Sequence, residues 1–309
     1  MTFGLRLAGL SACLIAAPGT ALAQDDQDGP DHAVGASVIY STDADETTVV
    51  RIGLNIDALY TSPDDYVGVR VERADYRPEG LDGDTDERFY LRVAKPIGDW
   101  QFRAEAGTDG RTAIGAIAVH NRDPVRVEAF VERDRLETPL GIALERYTTF
   151  GGAAIDLPFN EEQTTQVTLL AGLQDFEDEN LRHHLRANFI QVVKSDWGLS
   201  AQLRTRYFGN SEPRALDYYS PEWFVEAIPV LQMRRFSAGW QYLAAAGWGA
   251  QRDSDSDWRS ARLLNLRMIS PQYGEGWSVT GDLVYSNQPI TDSETYDYLR
   301  ISSGVTRAF

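Results

Sequence analysis

The side chains best suited to chemistry in this chain are phenols, carboxylates and guanidinium groups, gathered in a few polar segments. Residues 217–221 read Asp-Tyr-Tyr-Ser-Pro. Tyr218 and Tyr219 can stack on sugar rings and trade hydrogen bonds with hydroxyls, or they can turn inward and pin their own segment, with Pro221 leading into the next strand. The sequence leaves both readings open. Residues 174–182 read Gln-Asp-Phe-Glu-Asp-Glu-Asn-Leu-Arg, and Asp175, Asp178, Asn180 and Arg182 are their main hydrogen-bonding groups. The acids of this run lack the glycine-centred spacing of a calcium loop, so no metal is assigned. A third short segment is Glu137-Thr138-Pro139. His183 and His184 fall on a predicted strand, where neighbours point to opposite faces, so they cannot ligate one metal together. Ser200 has no histidine at a readable spacing and signals no catalytic triad. Neither a cofactor nor an enzymatic role is assigned.

The elements that must position these residues are strands. Residues 197–208 alternate strictly: Trp197, Leu199, Ala201 and Leu203 point one way, and Ser200, Gln202, Arg204 and Arg206 the other. That length suits a tilted strand crossing a bilayer, about 9–11 residues. The same period-two pattern predicts strands at about 33–42, 46–57, 64–75, 85–95, 98–107, 110–120, 124–132 and 147–157, and then at about 164–173, 180–192, 196–208, 221–231, 235–249, 257–268, 275–286 and 295–309. The expected fold is all-β: a transmembrane antiparallel up-and-down β-barrel of about 16 strands, over residues 33–309. Its inward face would carry Tyr66, Glu72, Tyr90, Glu105, Glu128, Asn188, Gln202, Glu226, Asp282 and Tyr298. Arg70, Arg92, Arg103, Arg186, Arg204 and Arg206 are expected to pair with the carboxylates.

Residues 1–23 read as a secretory signal. Arg6 supplies the charged region, residues 7–18 are mostly apolar, and Ala21-Leu22-Ala23 is a small-x-small cleavage site. Residues 24–32 are expected to form a short flexible periplasmic segment. Cys13 is the one cysteine and would leave with the signal, so the mature chain would hold no disulfide and no thiolate nucleophile. With 29 Lys and Arg against 46 Asp and Glu, the net charge is −17, which argues against a nucleic-acid partner. The acidic excess would attract a cationic or neutral glycan rather than an anionic one; it also suits outer loops that stay soluble or hold divalent cations beside lipopolysaccharide.

Connection lengths alternate as in outer-membrane barrels. The loops at 76–84, 133–146, 174–180, 209–220, 250–256 and 287–294 are long, whereas residues 96–98, 121–123, 194–195 and 234 mark short turns. Trp100, Trp197 and Trp277 each begin a strand leaving a short turn, as in an interfacial girdle. Phe309 ends the chain, with Val305 and Ile301 on the same face. A terminal Phe of this kind resembles the signal read by the barrel-assembly machinery, although Arg307 stands where an apolar residue is usual. The expected location is the outer membrane of a Gram-negative bacterium, in contact with outer-membrane lipid and lipopolysaccharide.

Taken in order, Glu137-Thr138-Pro139, residues 174–182 and Tyr218-Tyr219-Ser220-Pro221 resemble the C-terminal barrel of exopolysaccharide export porins. The poly-N-acetylglucosamine export porin is the nearer likeness and the outer-membrane subunit of cellulose synthase the more distant. The resemblance implies an outer-membrane barrel that passes, or helps to pass, an exopolysaccharide. Tyr218, Tyr219, Glu226, Arg204, Arg206 and Asp282 would be its glycan-path candidates. Those exporters carry a tetratricopeptide-repeat region ahead of the barrel, so the expected partners include a polysaccharide and a separate periplasmic scaffold protein. Two other functions fit the same barrel: a general or substrate-selective diffusion porin, and a structural or adhesion barrel with acidic surface loops.

Overall fold

A computed structural model describes residues 30–44, 47–271, 276–287 and 297–309. The expected signal at 1–23, and most of the segment after it, lie outside the described residues, as does most of the 287–294 loop. Sixteen strands are present among the described residues: β1 Ala33–Asp43, β2 Thr48–Ser62, β3 Asp65–Arg77, β4 Asp84–Ile97, β5 Trp100–Thr108, β6 Ala113–Asn121, β7 Arg126–Arg135 and β8 Tyr147–Pro158. They continue with β9 Thr165–Asp175, β10 Leu181–Lys194, β11 Leu199–Asn210, β12 Trp223–Ser237, β13 Trp240–Asp253, β14 Arg259–Ile269, β15 Trp277–Ser286 and β16 Tyr298–Ala308. Each pairs antiparallel with its sequence neighbours, and β1 pairs with β16, closing the barrel. Closure satisfies every ladder and leaves no strand edge, which a membrane demands. His32 and Phe309 complete the seam by exchanging backbone hydrogen bonds at 3.0 and 2.9 Å.

The alternation settles which face is which. Leu54, Ile56, Leu91, Leu185, Leu203 and Leu231 are exposed on the outside, while their neighbours Asn188, Gln202 and Glu226 are buried inside. An apolar exterior around a polar interior is the reverse of a soluble sandwich and is the pattern of a barrel solvated by lipid. Trp100, Trp197 and Trp277 stand exposed at the end that carries the chain termini. Trp240 begins β13 at that same end, stacked on Tyr242 at 5.9 Å. Trp248 and Trp258 are exposed toward the other end, which bears the long loops.

One turn differs from the sequence reading. Arg234 does not turn the chain; β12 runs on to Ser237, and the reversal is Ala238-Gly239. Both residues have positive φ, 49° and 79°, the geometry of a two-residue hairpin whose twist matches its strands. Ala is an unusual occupant of that conformation, so the sequence carries no Asn-Gly or Asp-Gly signal to mark it. The strand pattern was read as continuous through it.

Candidate functional site

Two loops fold into the outer half of the lumen. The first follows β7 and contains a short helix, α1, Pro139–Ala143. Thr138 caps it by accepting from the Gly141 N–H at 3.2 Å, and Pro139 supplies the fixed φ of a first helical turn. Arg135, fully buried at the end of β7, draws the loop inward. Its guanidinium donates to the Ile142 carbonyl at 2.6 Å and pairs with Asp86 at 2.8 Å and Asp84 at 2.6 Å. Glu137 pairs with Arg51 of β2, which also holds Asp134 at 2.8 Å.

The second loop, residues 211–222, meets the first through Asp217. One Asp217 oxygen accepts from the Thr138 hydroxyl and the other from the Leu140 N–H, both at 2.6 Å. A carboxylate on one loop therefore caps the helix of the other. Next in sequence, the Tyr218 ring lies flat on Phe176, 4.0 Å between centroids and 5° between planes. Its hydroxyl accepts from Asn180 at 2.8 Å and donates to Asp178 at 2.9 Å. The Tyr219 hydroxyl donates to Asp253, which Arg259 also holds at 2.7 Å. Behind them, Phe208 stacks on Phe224 at 4.8 Å. Burial, together with the Asp178 and Asp253 carboxylates that accept from them, pushes both phenols well above their usual range.

Arg182 locks this layer. Its guanidinium sits over Phe208 at 4.5 Å and Phe176 at 4.7 Å, donates to Asn210 at 2.8 Å and donates to the Tyr219 carbonyl. Asn210 in turn donates to the Pro221 carbonyl at 2.6 Å. The three polar segments singled out in the sequence thus converge on one inward plug. Glu137, Pro139, Asp178, Asn180, Arg182, Tyr218, Tyr219 and Pro221 all belong to it. Asp175 does not: it is exposed at the end of β9, where its carbonyl accepts from the Thr148 hydroxyl. Tyr218 and Tyr219 are 2% and 5% exposed. Of the two roles open to them, the structure places them as anchors rather than as bare rings at the mouth.

Asp217 and Phe176 were not among the sequence candidates, although both carry the plug. Thr138-Pro139 did hold a signal, since a capping residue followed by proline marks a helix start. The stacking of Phe176 on Tyr218 joins residues 42 positions apart, and nothing local announces it.

Beneath the plug lie the remaining glycan-path candidates. Glu226 on β12 is 3.8 Å from Arg206 on β11, Arg204 donates to Gln202 at 3.1 Å, and Asp282 on β15 pairs with Arg267 at 3.0 Å and Arg300 at 3.5 Å. Plug and wall enclose a cavity of about 120 Å³, lined in part by Arg51, Glu132, Arg186, Arg206, Phe208 and Tyr218.

Closed barrel, lipid-facing belt, aromatic ends and a polar lumen crossed by loops define a transmembrane β-barrel of the Gram-negative outer membrane. Comparison with solved structures agrees on the fold. The chain is similar to a bacterial polysaccharide outer membrane secretin, with a TM-score of 0.67 at 15% identity over 90% of this chain and 98% of that one. It also aligns with OprD of Pseudomonas aeruginosa, at a TM-score of 0.43 and 9% identity over 92% of this chain and 97% of that one. A third match is the CymD monoaromatic hydrocarbon channel, at a TM-score of 0.42 and 9% identity over 90% or so of each chain, 91% here and 89% there. No protein-family model matches the sequence, and no curated protein does.

Proposed function

We propose that this barrel is an outer-membrane conduit for an exopolysaccharide, held shut by the joined loops and opened when they part. The observation that carries the reading is the convergence of the three exporter-like segments on one plug. It stands inside a sixteen-strand barrel with the shape of a polysaccharide secretin's. Transport is passive at the barrel, with polymerisation supplying the push from the inner side. Once the plug swings aside, Arg204, Arg206, Glu226 and Asp282 offer a sliding chain many weak, replaceable contacts. Tyr218 and Tyr219, freed from Phe176 and Asp253, become available to stack on sugar rings.

The test is deletion of the gene in its native host, with polysaccharide measured outside the cell and in the periplasm. Loss outside with accumulation inside is expected. Unchanged glycan in both places defeats the export reading and leaves a substrate-selective diffusion porin, which the charged lumen wall also suits. An adhesion role draws less support, because the two loops that would present a binding surface tuck their key side chains inward.

A further inference from the structure

The outer face of the barrel is apolar along most of its height, and its charges stand toward the two rims. At the loop-bearing rim two outward arginines are tied to acids: Arg73 of β3 lies 3.1 Å from Asp75, and Arg133 of β7 pairs with Glu177. Two others lie over indole rings, Arg252 of β13 over Trp223 at 5.9 Å and Arg262 of β14 over Trp248 at 5.4 Å. Their neighbours fix their direction. Gln251 and Asp253 are buried inward on either side of Arg252, as are Ala261 and Leu263 on either side of Arg262. Among the described residues the Arg252 Nε has no hydrogen-bond partner. Arg262 reaches the Tyr285 hydroxyl, which itself donates to Asp297 at 2.6 Å. A row of small residues runs between the two arginines. Ala227 of β12 is opposite Ala250 of β13, and Ala250 is opposite Ser260 of β14. Arg252 stands one outward position above Ala250, toward the loops. Arg262 stands one outward position below Ser260, opposite Trp248. Trp248 and Trp258 project at the borders, 70% and 59% exposed. The result is a shallow recess with a floor of small residues, a guanidinium at two diagonal corners and indoles at its edges. It lies at the height of the outer leaflet's headgroups.

We infer that this recess on β12–β14 binds a phosphorylated glycolipid of the outer leaflet. Guanidinium groups match phosphate oxygens in paired, charge-assisted hydrogen bonds and are weakly hydrated, which suits them to a membrane interface. A bare indole beside them takes the apolar face of a sugar ring. The small floor lets that ring approach the sheet, where larger side chains would hold it off. Below it, the exposed Leu231 and Leu266 continue the apolar belt that receives acyl chains. A glycerophospholipid brings phosphate and chains but no ring, so the glycolipid is the ligand that uses every part of the recess. Arg73 and Arg133 already hold carboxylates of the protein and have less to offer a phosphate. At the inner rim, Lys194 over Trp197 and Arg307 over Trp277 repeat the single cation–ring contact that anchors a barrel at an interface. The pair of arginines across a small-residue row sets the β12–β14 recess apart. The inference is independent of the export reading.

The experiment is native mass spectrometry of the purified barrel in detergent, titrated with bis-phosphorylated lipid A. Dephosphorylated lipid A and phosphatidylglycerol are titrated in parallel. One lipid A per barrel is expected, held at least about tenfold more tightly than either comparison lipid. Arg252→Gln with Arg262→Gln should abolish that preference. Arg73→Gln with Arg77→Gln, two exposed arginines on the outward face of β3, should leave it in place. Each variant is checked for the heat-modifiable band of a folded barrel. If the Arg252 and Arg262 double variant lacks that band, Trp248→Ala, a change at an exposed ring, takes its place and should weaken lipid A binding several-fold. Failure of the wild type to retain lipid A overturns the inference, as does retention unmoved by the substitutions in the recess. Equal binding of the dephosphorylated lipid defeats the phosphate contact, and equal binding of phosphatidylglycerol defeats the glycolipid assignment. An equal loss in the β3 variant would make the effect one of general rim charge and remove the site from β12–β14.

Discussion

The two sides of the lumen are built on different electrostatic plans. Counted over both faces, strands β2 to β8 carry eleven basic and twelve acidic side chains, whereas β10 to β14 carry eleven basic and two acidic. On the first wall the charges interlock. Arg88 lies 3.0 Å from Asp134, 3.4 Å from Asp86 and 3.5 Å from Glu72, and Arg70 reaches Glu72 at 2.6 Å. Arg92 lies between Asp57 at 3.4 Å and Glu105 at 3.5 Å. On the second wall arginines lie over rings as well as beside acids: Arg182 over Phe176 and Phe208, Arg206 over Phe224 at 4.9 Å and 3.8 Å from Glu226, Arg186 over Phe150 at 5.8 Å, and Arg259 2.7 Å from Asp253. A self-neutralised network stiffens a barrel and offers little to a passenger. The difference teaches that the two sides of the barrel hold their arginines in different ways, one by a shared carboxylate network and the other largely by rings, amides and single acids.

The sharpest way to break this comparison is to remove one guanidinium from each wall. Arg88→Met removes the guanidinium that Glu72, Asp86 and Asp134 share, leaving them to Arg70, Arg135 and Arg51, and should cost about 1.5–3 kcal/mol of stability. Arg206→Gln relieves a like-charge neighbour while weakening the contact with Glu226, and should change stability by less than about 1 kcal/mol. Urea unfolding in lipid vesicles, followed by tryptophan fluorescence, reads both. Equal losses would mean that the second wall is as structural as the first.

A smaller effect is expected at the junction of the two loops. Asp217→Ala removes two hydrogen bonds to the α1 start, from Thr138 and Leu140. Bonds to a charged group contribute about 1.5–3 kcal/mol each, and the half-buried position of Asp217 puts the sum near the lower figure. The loss should fall on the plug alone, because no strand ladder runs through it. Open-channel probability should rise more than about tenfold while the unfolding midpoint stays in place. A lowered midpoint with unchanged gating would show that Asp217 braces the barrel instead.

How much of this was legible follows from the range of the interactions. Strand content and barrel closure were written locally, since period-two alternation repeats along segments of 9 to 15 residues and each carries its own evidence. The Ala238-Gly239 reversal was hidden because Ala gives no positive-φ signal. The helix α1 was missed because five residues cannot show a period of 3.6. Among site residues, the three loop segments were visible as unusual compositions. Their meeting was not, for the Thr138–Asp217 bond spans 79 positions. The inward arginines were visible one by one and were expected to pair with inward carboxylates. That holds for Arg70 and Arg92 on the first wall and for Arg206 of β11, whose acid, Glu226, comes from the neighbouring strand.

The least perturbing test of the plug uses pH. Tyr218 and Tyr219 are held protonated in the closed loops, mainly by burial and further by donation to Asp178 and Asp253. With the loops apart, the same phenols meet water and titrate near their ordinary value, about 10. A group whose pKa is raised in one state favours that state fully below its free value and loses the advantage as pH climbs past it. The closed plug should therefore be insensitive to pH through neutrality and open progressively above about pH 10. Tyr218→Phe with Tyr219→Phe removes both titrating hydroxyls. It should raise open probability modestly at neutral pH, through the lost bonds to Asn180, Asp178 and Asp253, and should flatten the alkaline rise. An alkaline rise that survives in the double variant would assign the pH response to other groups and confine the two tyrosines to packing.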